Sequence, residues 1–412
     1  MSHEPRRLKV LHAPRDIGCN AYYLARGERV NGFDSRNLVY FKQWYGYPAD
    51  IDLGMKIDDN PVYYLRWWLQ MAKVASTCDV LHFNFGGSFL SYYPRRWIYP
   101  DAALWRRLGI ATFVTFQGCE GRLSRYVLEN LETKFCTNCR SRYFCEGGYD
   151  NFKEESNSQA SRRFDGVFAL NPDILRSVPG ARFLPYSNVD LDEWRPREAR
   201  EEMRNRTVRI VHAPTNREIK GSEIIIDAVK ALKEEGEDVE LVLVEKLPHE
   251  QVRALYESAD LLVDQMLIGW YGGVAVELMA LAKPVVAFIR QEDLQFIPAQ
   301  MKEDLPIVSA NTTNLKEVLR ELVRDPARRH QIGRRSRAFV EKWHHPNVVG
   351  KMTTDAYREA LAKRPHPTGA SGRLPVLLKI TKPTLRHFAL LYRNMSPAGR
   401  FARRLHGLIK GS

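Results

Sequence analysis

Val208-Arg209-Ile210-Val211-His212-Ala213-Pro214-Thr215-Asn216-Arg217-Glu218-Ile219-Lys220-Gly221-Ser222 is the stretch that decides the fold. Its apolar opening reads as a buried strand, and residues 222–234 carry apolar side chains at helical spacing. Strand, loop and helix in that order form the first unit of a parallel α/β sheet. The loop holds charge and a glycine where the helix begins. A helix start offers unpaired N–H groups and the positive end of a dipole, both of which suit phosphate. Arg217 and Lys220 add mobile positive charge, and Gly221 lets the backbone come close. Taken alone, the stretch is equally well explained as a solvated turn.

The same phrase occurs near the N-terminus as Val10-Leu11-His12-Ala13-Pro14. Two series of alternating strands and helices each open on it. In the first, strands are expected at residues 8–12, 79–83, 111–116 and 166–170, with helices at about 20–30 and 63–74. In the second, strands are expected at 239–244, 260–263, 284–288 and 305–308. Its helices are expected at 222–234, 249–258, 274–282, 314–323 and 327–342. A charged linker containing Pro196 joins them. The class is therefore α/β: two Rossmann-like domains facing a cleft, with ligands at the carboxyl ends of the strands. The expected boundaries are 1–190 for the first domain, 191–365 for the second and 366–412 for a tail. Irregular sequence at 117–158 interrupts the first series and reads as an insertion.

A second stretch adds chemistry: Gly269-Trp270-Tyr271-Gly272-Gly273-Val274-Ala275-Val276-Glu277-Leu278-Met279-Ala280-Leu281-Ala282-Lys283-Pro284-Val285-Val286. Its glycines bring bare N–H groups to another helix start. Glu277 lies one turn inside that helix among apolar neighbours, where a carboxylate needs a partner. Two vicinal ribose hydroxyls would satisfy both oxygens, and so would a neighbouring Lys or Arg.

Together the two stretches resemble the donor half of GT-B glycosyltransferases. The likeness is to the large retaining family 4, also called glycosyl transferases group 1, which includes sucrose synthase and bacterial mannosyltransferases. Lys220-Gly221 matches the family's Lys-Gly, Tyr271-Gly272 its aromatic-glycine pair, and Glu277 the second Glu of its Glu-x7-Glu. Asn188-Val189-Asp190, Asp79-Val80-Leu81-His82 and Thr115-Phe116-Gln117-Gly118 are similar to its hinge, strand and Thr-x-His-Gly segments. Gly18 matches one glycine of its Gly-Gly turn. Two positions depart: Thr215 stands at the family's Arg, with Arg217 close by, and Gly269 stands at the first Glu, which contacts the transferred sugar.

The resemblance implies a nucleoside-diphosphate-sugar donor and a glycan or lipid-linked acceptor. It implies that Lys220 and Arg217 stabilise the leaving diphosphate. Gly18, Thr215, Trp270, Tyr271, Gly272, Gly273 and Glu277 would hold the donor, and Gln117 and His82 would face the acceptor and sugar side. No Asp-x-Asp metal motif lies beside a strand end in the second half, so transfer needing no catalytic cofactor or metal is expected. A non-catalytic sugar-nucleotide-binding or scaffold protein of the same fold is the second reading.

The 412 residues are 44% hydrophobic and 27% charged, ordinary for a folded chain. The formal charge is +13. No acid follows Glu359, and the tail beyond it holds 11 of the 62 Lys and Arg residues, which leaves 51 basic against 49 acidic side chains in the body. A near-neutral body argues against a nucleic-acid-binding domain, which would show steeply salt-dependent binding. Basic residues beside apolar ones at helical spacing suit an anionic membrane surface. The aromatic-basic stretches 63–68 and 92–97 read as core or as the lining for a lipid-linked acceptor. No apolar run reaches about 18 residues, and the N-terminus lacks the apolar core of a secretion signal. The expected location is the cytosol, peripheral on the cytoplasmic face of the membrane.

Four of six cysteines, Cys119, Cys136, Cys139 and Cys145, fall within the insertion. Cys136-Thr137-Asn138-Cys139 is a C-x2-C, and thiolates at such spacing can clasp structural zinc. Free thiols, an iron–sulfur cluster and a disulfide remain as alternatives.

Overall fold

In a computed structural model the described residues are 6–40, 46–54, 69, 73–89, 91, 98–196, 207–247 and 249–363. The basic tail at 366–412 and the aromatic-basic stretches at 63–68 and 92–97 lie outside them.

The first sheet contains β1 (Lys9–Ala13), β2 (Asp34–Val39), β3 (Ile51–Asp52), β4 (Val80–Asn84), β5 (Ala111–Phe116), β6 (Gly166–Ala169) and β7 (Arg182–Phe183). All pairs are parallel, in the order β3-β2-β1-β4-β5-β6-β7. The second contains β8 (Val208–His212), β9 (Val239–Leu243), β10 (Leu261–Val263), β11 (Val285–Ala287) and β12 (Val308–Ser309), parallel in the order β12-β11-β10-β8-β9. In each sheet the opening strand has the next strand on one side and a later one on the other. Such reversals leave a crevice beyond the carboxyl ends, between β1 and β4 and between β8 and β10. The central strands β4 and β5 are buried throughout, as expected where helices cover both faces.

The helices that place the site are α1 (Asn20–Val30), α2 (Asp150–Arg163), α3 (Arg217–Lys220), α4 (Ser222–Glu234), α5 (Gly273–Ala280) and α6 (Pro346–Ala362). β2 and α6 are elements the pattern did not predict. α6 begins on Pro346 beside a His345 cap, a strong start signal that the sequence does contain. The stretch expected to be irregular, 117–158, instead holds short helices at Ser124–Asn130 and Arg142–Phe144, and α2 already starts at Asp150, with almost no amphipathic stripe to announce it.

α6 returns to the first half and packs on α1, and its approach is so close that glycine is required. A methyl at Gly27 would stand 1.9 Å from the Pro346 carbonyl oxygen. At the centre of this contact Glu28 acts as a buried hub. One oxygen accepts from Ser35 Oγ at 2.6 Å and faces His12 Nε2 at 2.8 Å, and the other accepts from Thr353 Oγ1 at 2.6 Å and Tyr357 OH at 2.8 Å. Burial alone would push its carboxyl up, but His12 and the Ser35 and Thr353 hydroxyls outweigh burial and hold it below the ordinary value. His82 joins the same network through Tyr357 OH at 2.5 Å and Thr115 Oγ1 at 2.6 Å. Among the described residues, His12, Glu28 and His82 are the only group of three that draws potential metal ligands within 4.8 Å. Glu28 is already saturated by hydrogen bonds, so the cluster works as a polar core. His82 is fully buried there, which removes it from the acceptor side expected of it. Among the described residues no helix is long and apolar enough to cross a membrane.

Candidate functional site

A cleft of about 540 Å³ opens between the carboxyl ends of the two sheets. That size suits a small ligand. The loop after β8 brings Lys220 to it. Asn216 caps α3 by accepting from the Ile219 N–H at 3.1 Å, and Gly221 ends the helix at φ +73°, a conformation that favours glycine. The Met266 N–H donates to the Lys220 carbonyl at 2.9 Å, which fixes α3 against the loop after β10.

The ammonium of Lys220 donates to Asp264 Oδ1 at 2.7 Å, and Asp264 Oδ2 accepts from the Gly272 N–H at 2.6 Å. Asp264 is 1% exposed. One carboxylate thus holds the cation and the first amide of the α5 terminus side by side. An ammonium has three N–H groups, so two of Lys220's remain for a ligand. Gly272 gives its amide to Asp264 rather than to the cleft, and Gly273 and Val274, in the first turn of α5, also line the cleft. Glu277 lines the same wall, 7% exposed.

Beyond Lys220 the wall turns apolar through Val244, Leu247, Val252 and Tyr256, with Thr215 and the exposed Lys246 at its edge. Arg217 does not line the cleft. Its guanidinium forms a bidentate pair with Glu245, at 2.8 and 2.6 Å, and fastens the loop after β9. From the first half come Gly18, at φ +65°, and Gln117, which is 8% exposed with Nε2 lacking a hydrogen-bond partner. Asn188 at the crossover donates Nδ2 to the Gly273 carbonyl at 3.1 Å, and its Oδ1 is also unpartnered. Just behind Gly18, Asp16 accepts the Ala21 and Tyr22 amides at 2.9 Å each, and burial lifts its carboxyl to about 6.

Of the expected site residues, the cleft gathers Gly18, Gln117, Thr215, Lys220, Tyr271, Gly272, Gly273 and Glu277. Trp270 is fully buried in the core of the second half, edge-on to Phe183, and does not reach the ligand space. Tyr271 touches the cleft but anchors its OH on His344 Nε2 at 2.9 Å. His212, the other His of the repeated His-Ala-Pro, bonds Val263 O and Ser222 Oγ, and burial depresses it to about 4. The repeat therefore marks structural histidines, His12 reaching α1 and His212 reaching α4.

Asp264 is the residue sequence reasoning missed. Its signal was present: a lone acid directly after the buried strand Leu261-Leu262-Val263, where ligands gather.

Gly269 has a structural cause. It sits at φ +98°, and a methyl there would meet Arg290 Nη1 at 2.6 Å, Cζ at 2.8 Å and Cβ at 2.9 Å. Arg290, 5% exposed, fills the space beside Gly269 that a side chain there would need. Its guanidinium donates to Ile268 O at 2.9 Å, Asp293 Oδ2 at 3.1 Å and, across the domains, Thr133 Oγ1 at 2.8 Å. Asp293 in turn accepts from Arg176 of the first half at 2.5 Å.

Two parallel α/β sheets facing a cleft, with the last described helix returning to the first half, make this a GT-B fold. The chain is similar to sucrose-phosphate synthase from Thermosynechococcus elongatus, at 16% identity over 87% of this chain and 100% of that one, TM-score 0.54. It is similar to an alpha-glucosyltransferase in complex with UDP and a 13-mer DNA, at 12% identity over 85% and 99%, TM-score 0.53. A protein described as a UDP-N-acetylglucosamine 2-epimerase from Listeria monocytogenes also shares the fold, at 11% identity over 88% and 98%, TM-score 0.50. No protein-family profile and no curated protein matches the chain. Such identities establish the fold and nothing finer.

Proposed function

We propose that the protein is a glycosyltransferase that moves a sugar from a nucleoside-diphosphate sugar to a glycan or lipid-linked acceptor, with retention and with no catalytic metal. The observation that carries this reading is the Lys220 ammonium, held by Asp264 beside the N-terminus of α5 inside the interdomain cleft. The two remaining N–H groups of Lys220 and the first-turn amides of α5 face the diphosphate. As the bond from sugar to phosphate breaks, negative charge grows on the leaving diphosphate, and these preset donors stabilise it without reorganising. The apolar wall of Val244, Leu247, Val252 and Tyr256 suits a nucleobase, and Glu277 suits the ribose hydroxyls. Gln117 Nε2 and Asn188 Oδ1, a donor and an acceptor both more than nine-tenths buried, suit sugar hydroxyls. Family likeness assigns the acceptor's proton to the leaving phosphate, so no protein base is named. The basic tail would bring the chain to an anionic membrane where a lipid-linked acceptor resides, a role tested by liposome flotation with and without residues 370–412.

The filling of the Gly269 position by Arg290 favours a second reading, a sugar-nucleotide-binding protein without transfer activity. Incubation with labelled donors and separation of products discriminates the two. Transfer by the wild type and its loss in Lys220→Ala supports the first reading. Near-normal transfer in Lys220→Ala removes the assigned site.

A further inference from the structure

After Phe116 the chain leaves the first sheet, runs against the second half and re-enters at α2. This passage bears on the donor site. Thr133 Oγ1 donates to Leu267 O at 2.7 Å and accepts from Arg290 at 2.8 Å. Arg140 donates through its backbone N and Nε to Glu218 in α3, at 2.8 and 2.6 Å. The passage thus braces both the Lys220 helix and the loop that leads to Gly272. Its own apolar support is thin: Val127, Leu131, Phe135 and Cys136 with Ile268 of the second half, while Tyr143 is 85% exposed. A segment with so little core needs another staple to hold a fixed shape.

Four thiols lie in it, and the backbone gathers them. The Cys139 N–H donates to Cys136 O at 3.3 Å in a tight turn, the Arg142 N–H to Cys139 O at 2.9 Å, and the Cys145 N–H to Ser141 O at 3.1 Å. Lys153, 3% exposed, donates both to Cys145 Sγ at 3.7 Å and to the carbonyl of Arg122, three residues beyond Cys119. It thereby ties the two ends of the cysteine run to one point. None of the four is in a disulfide.

We propose that Cys119, Cys136, Cys139 and Cys145 bind one zinc ion, and that this centre stiffens the brace against the donor half. A divalent cation reverses the mutual repulsion of four thiolates, since a coordinating thiol gives up its proton outright. Four thiolates on one zinc carry a net charge of about −2; the nearby Lys153 ammonium touches Cys145 Sγ at 3.7 Å but is also paired with Asp150 Oδ1 at 2.7 Å. Among the described residues no three of these sulfurs stand within 4.8 Å of one another. Tetrahedral zinc with Zn–S of about 2.3 Å needs sulfurs ~3.8 Å apart, which rotation of the thiol side chains must provide.

The proposal is tested on the full-length protein purified under reducing conditions, by elemental analysis with thiol titration. The expected result is about one zinc per chain, released when a mercurial titrates the thiols. Cys139→Ser and Cys136→Ser should lose the metal, and Cys78→Ala, outside the cluster, should keep it. Removing zinc with a chelator should open residues 119–149 to limited proteolysis. Zinc-free wild type with all six thiols titrating, a disulfide among the four, or iron with sulfide would each overturn the assignment. The wild-type metal content decides even if the variants fail to fold, and it does not depend on any sugar-nucleotide activity.

Discussion

Adding one methyl at Gly269 should destabilise the protein by roughly 2–6 kcal/mol, although no ligand-binding side chain is touched. The magnitude has two sources. An L side chain at φ +98° carries about 1–3 kcal/mol of backbone strain. The new Cβ also lies 2.6–2.9 Å from Arg290 atoms, including its own Cβ, so Arg290 must move as a whole. Moving it gives up donations to Ile268 O, Thr133 Oγ1 and the fully buried Asp293. Asp293 keeps Arg176, so the loss is less than that of a fully broken buried pair, about 1–3 kcal/mol. The assay is urea unfolding of Gly269→Ala, Arg290→Ala and the double variant. In the Arg290→Ala background the methyl meets no guanidinium but still meets the Cβ at position 290, 2.9 Å away, so the backbone strain and that contact persist and the coupling, which reports the guanidinium alone, should be about 1–2 kcal/mol. A Gly269→Ala cost within about 0.5 kcal/mol of zero, or an equal cost in both backgrounds, would refute the steric account. Gly269→Glu, which introduces the family's carboxylate, should lose stability and gain no activity.

Asp264→Asn should weaken donor binding by roughly tenfold or more, because a hydrogen bond to a charged group contributes about 1.5–3 kcal/mol and here it orients Lys220; tighter binding in a titration would show that the carboxylate only opposes phosphate. Arg217→Ala, whose guanidinium is engaged with Glu245, should weaken donor binding by less than about tenfold. Glu28→Ala should cost about 3–5 kcal/mol and Tyr357→Phe about 1–2 kcal/mol in chemical denaturation, since the first leaves His12, Ser35, Thr353 and Tyr357 without their shared acceptor. Burial holds His212 and His344 near 4 and His82 well below its ordinary value. Between pH ~6.5 and ~4 the unfolded chain takes up protons that these folded histidines refuse, so each lowers stability by up to ~1.4 kcal/mol per unit as pH falls. Asp16, raised to about 6, acts oppositely over part of that range, and the melting temperature should still drop from neutral pH to pH ~5. A flat melting profile there would contradict the burial of these rings.

The duplicated strand-to-His-Ala-Pro phrase was enough to place both sheets, because buried parallel strands read as apolar runs whatever surrounds them. Lys220-Gly221 and Gly272-Gly273 were legible for a similar reason: helix starts are local, and glycine marks where backbone must bend or come close. What escaped was non-local. His82 looked like a polar residue at a strand end, and its burial depends on Tyr357, 275 residues away. Trp270 lay beside the ligand residues in sequence but is fully buried in the core of the second half, which no local pattern announces. Arg290 is invisible as the occupant of the missing-Glu position until the chain is folded. Asp264 was visible but isolated, and a single acid after a strand gains meaning only when Lys220 and Gly272 are seen to converge on it.

The most direct test of the central claim is thermal denaturation of wild type and Lys220→Ala against a panel of nucleoside-diphosphate sugars. At a ligand concentration about a hundredfold above Kd, binding should add ~2.7 kcal/mol to the folded state and raise the wild-type Tm. The same ligand should leave Lys220→Ala nearly unshifted. An equal shift in both proteins, or no shift with any member of the panel, would contradict the assignment of the Lys220–Asp264–Gly272 cleft as a sugar-nucleotide site.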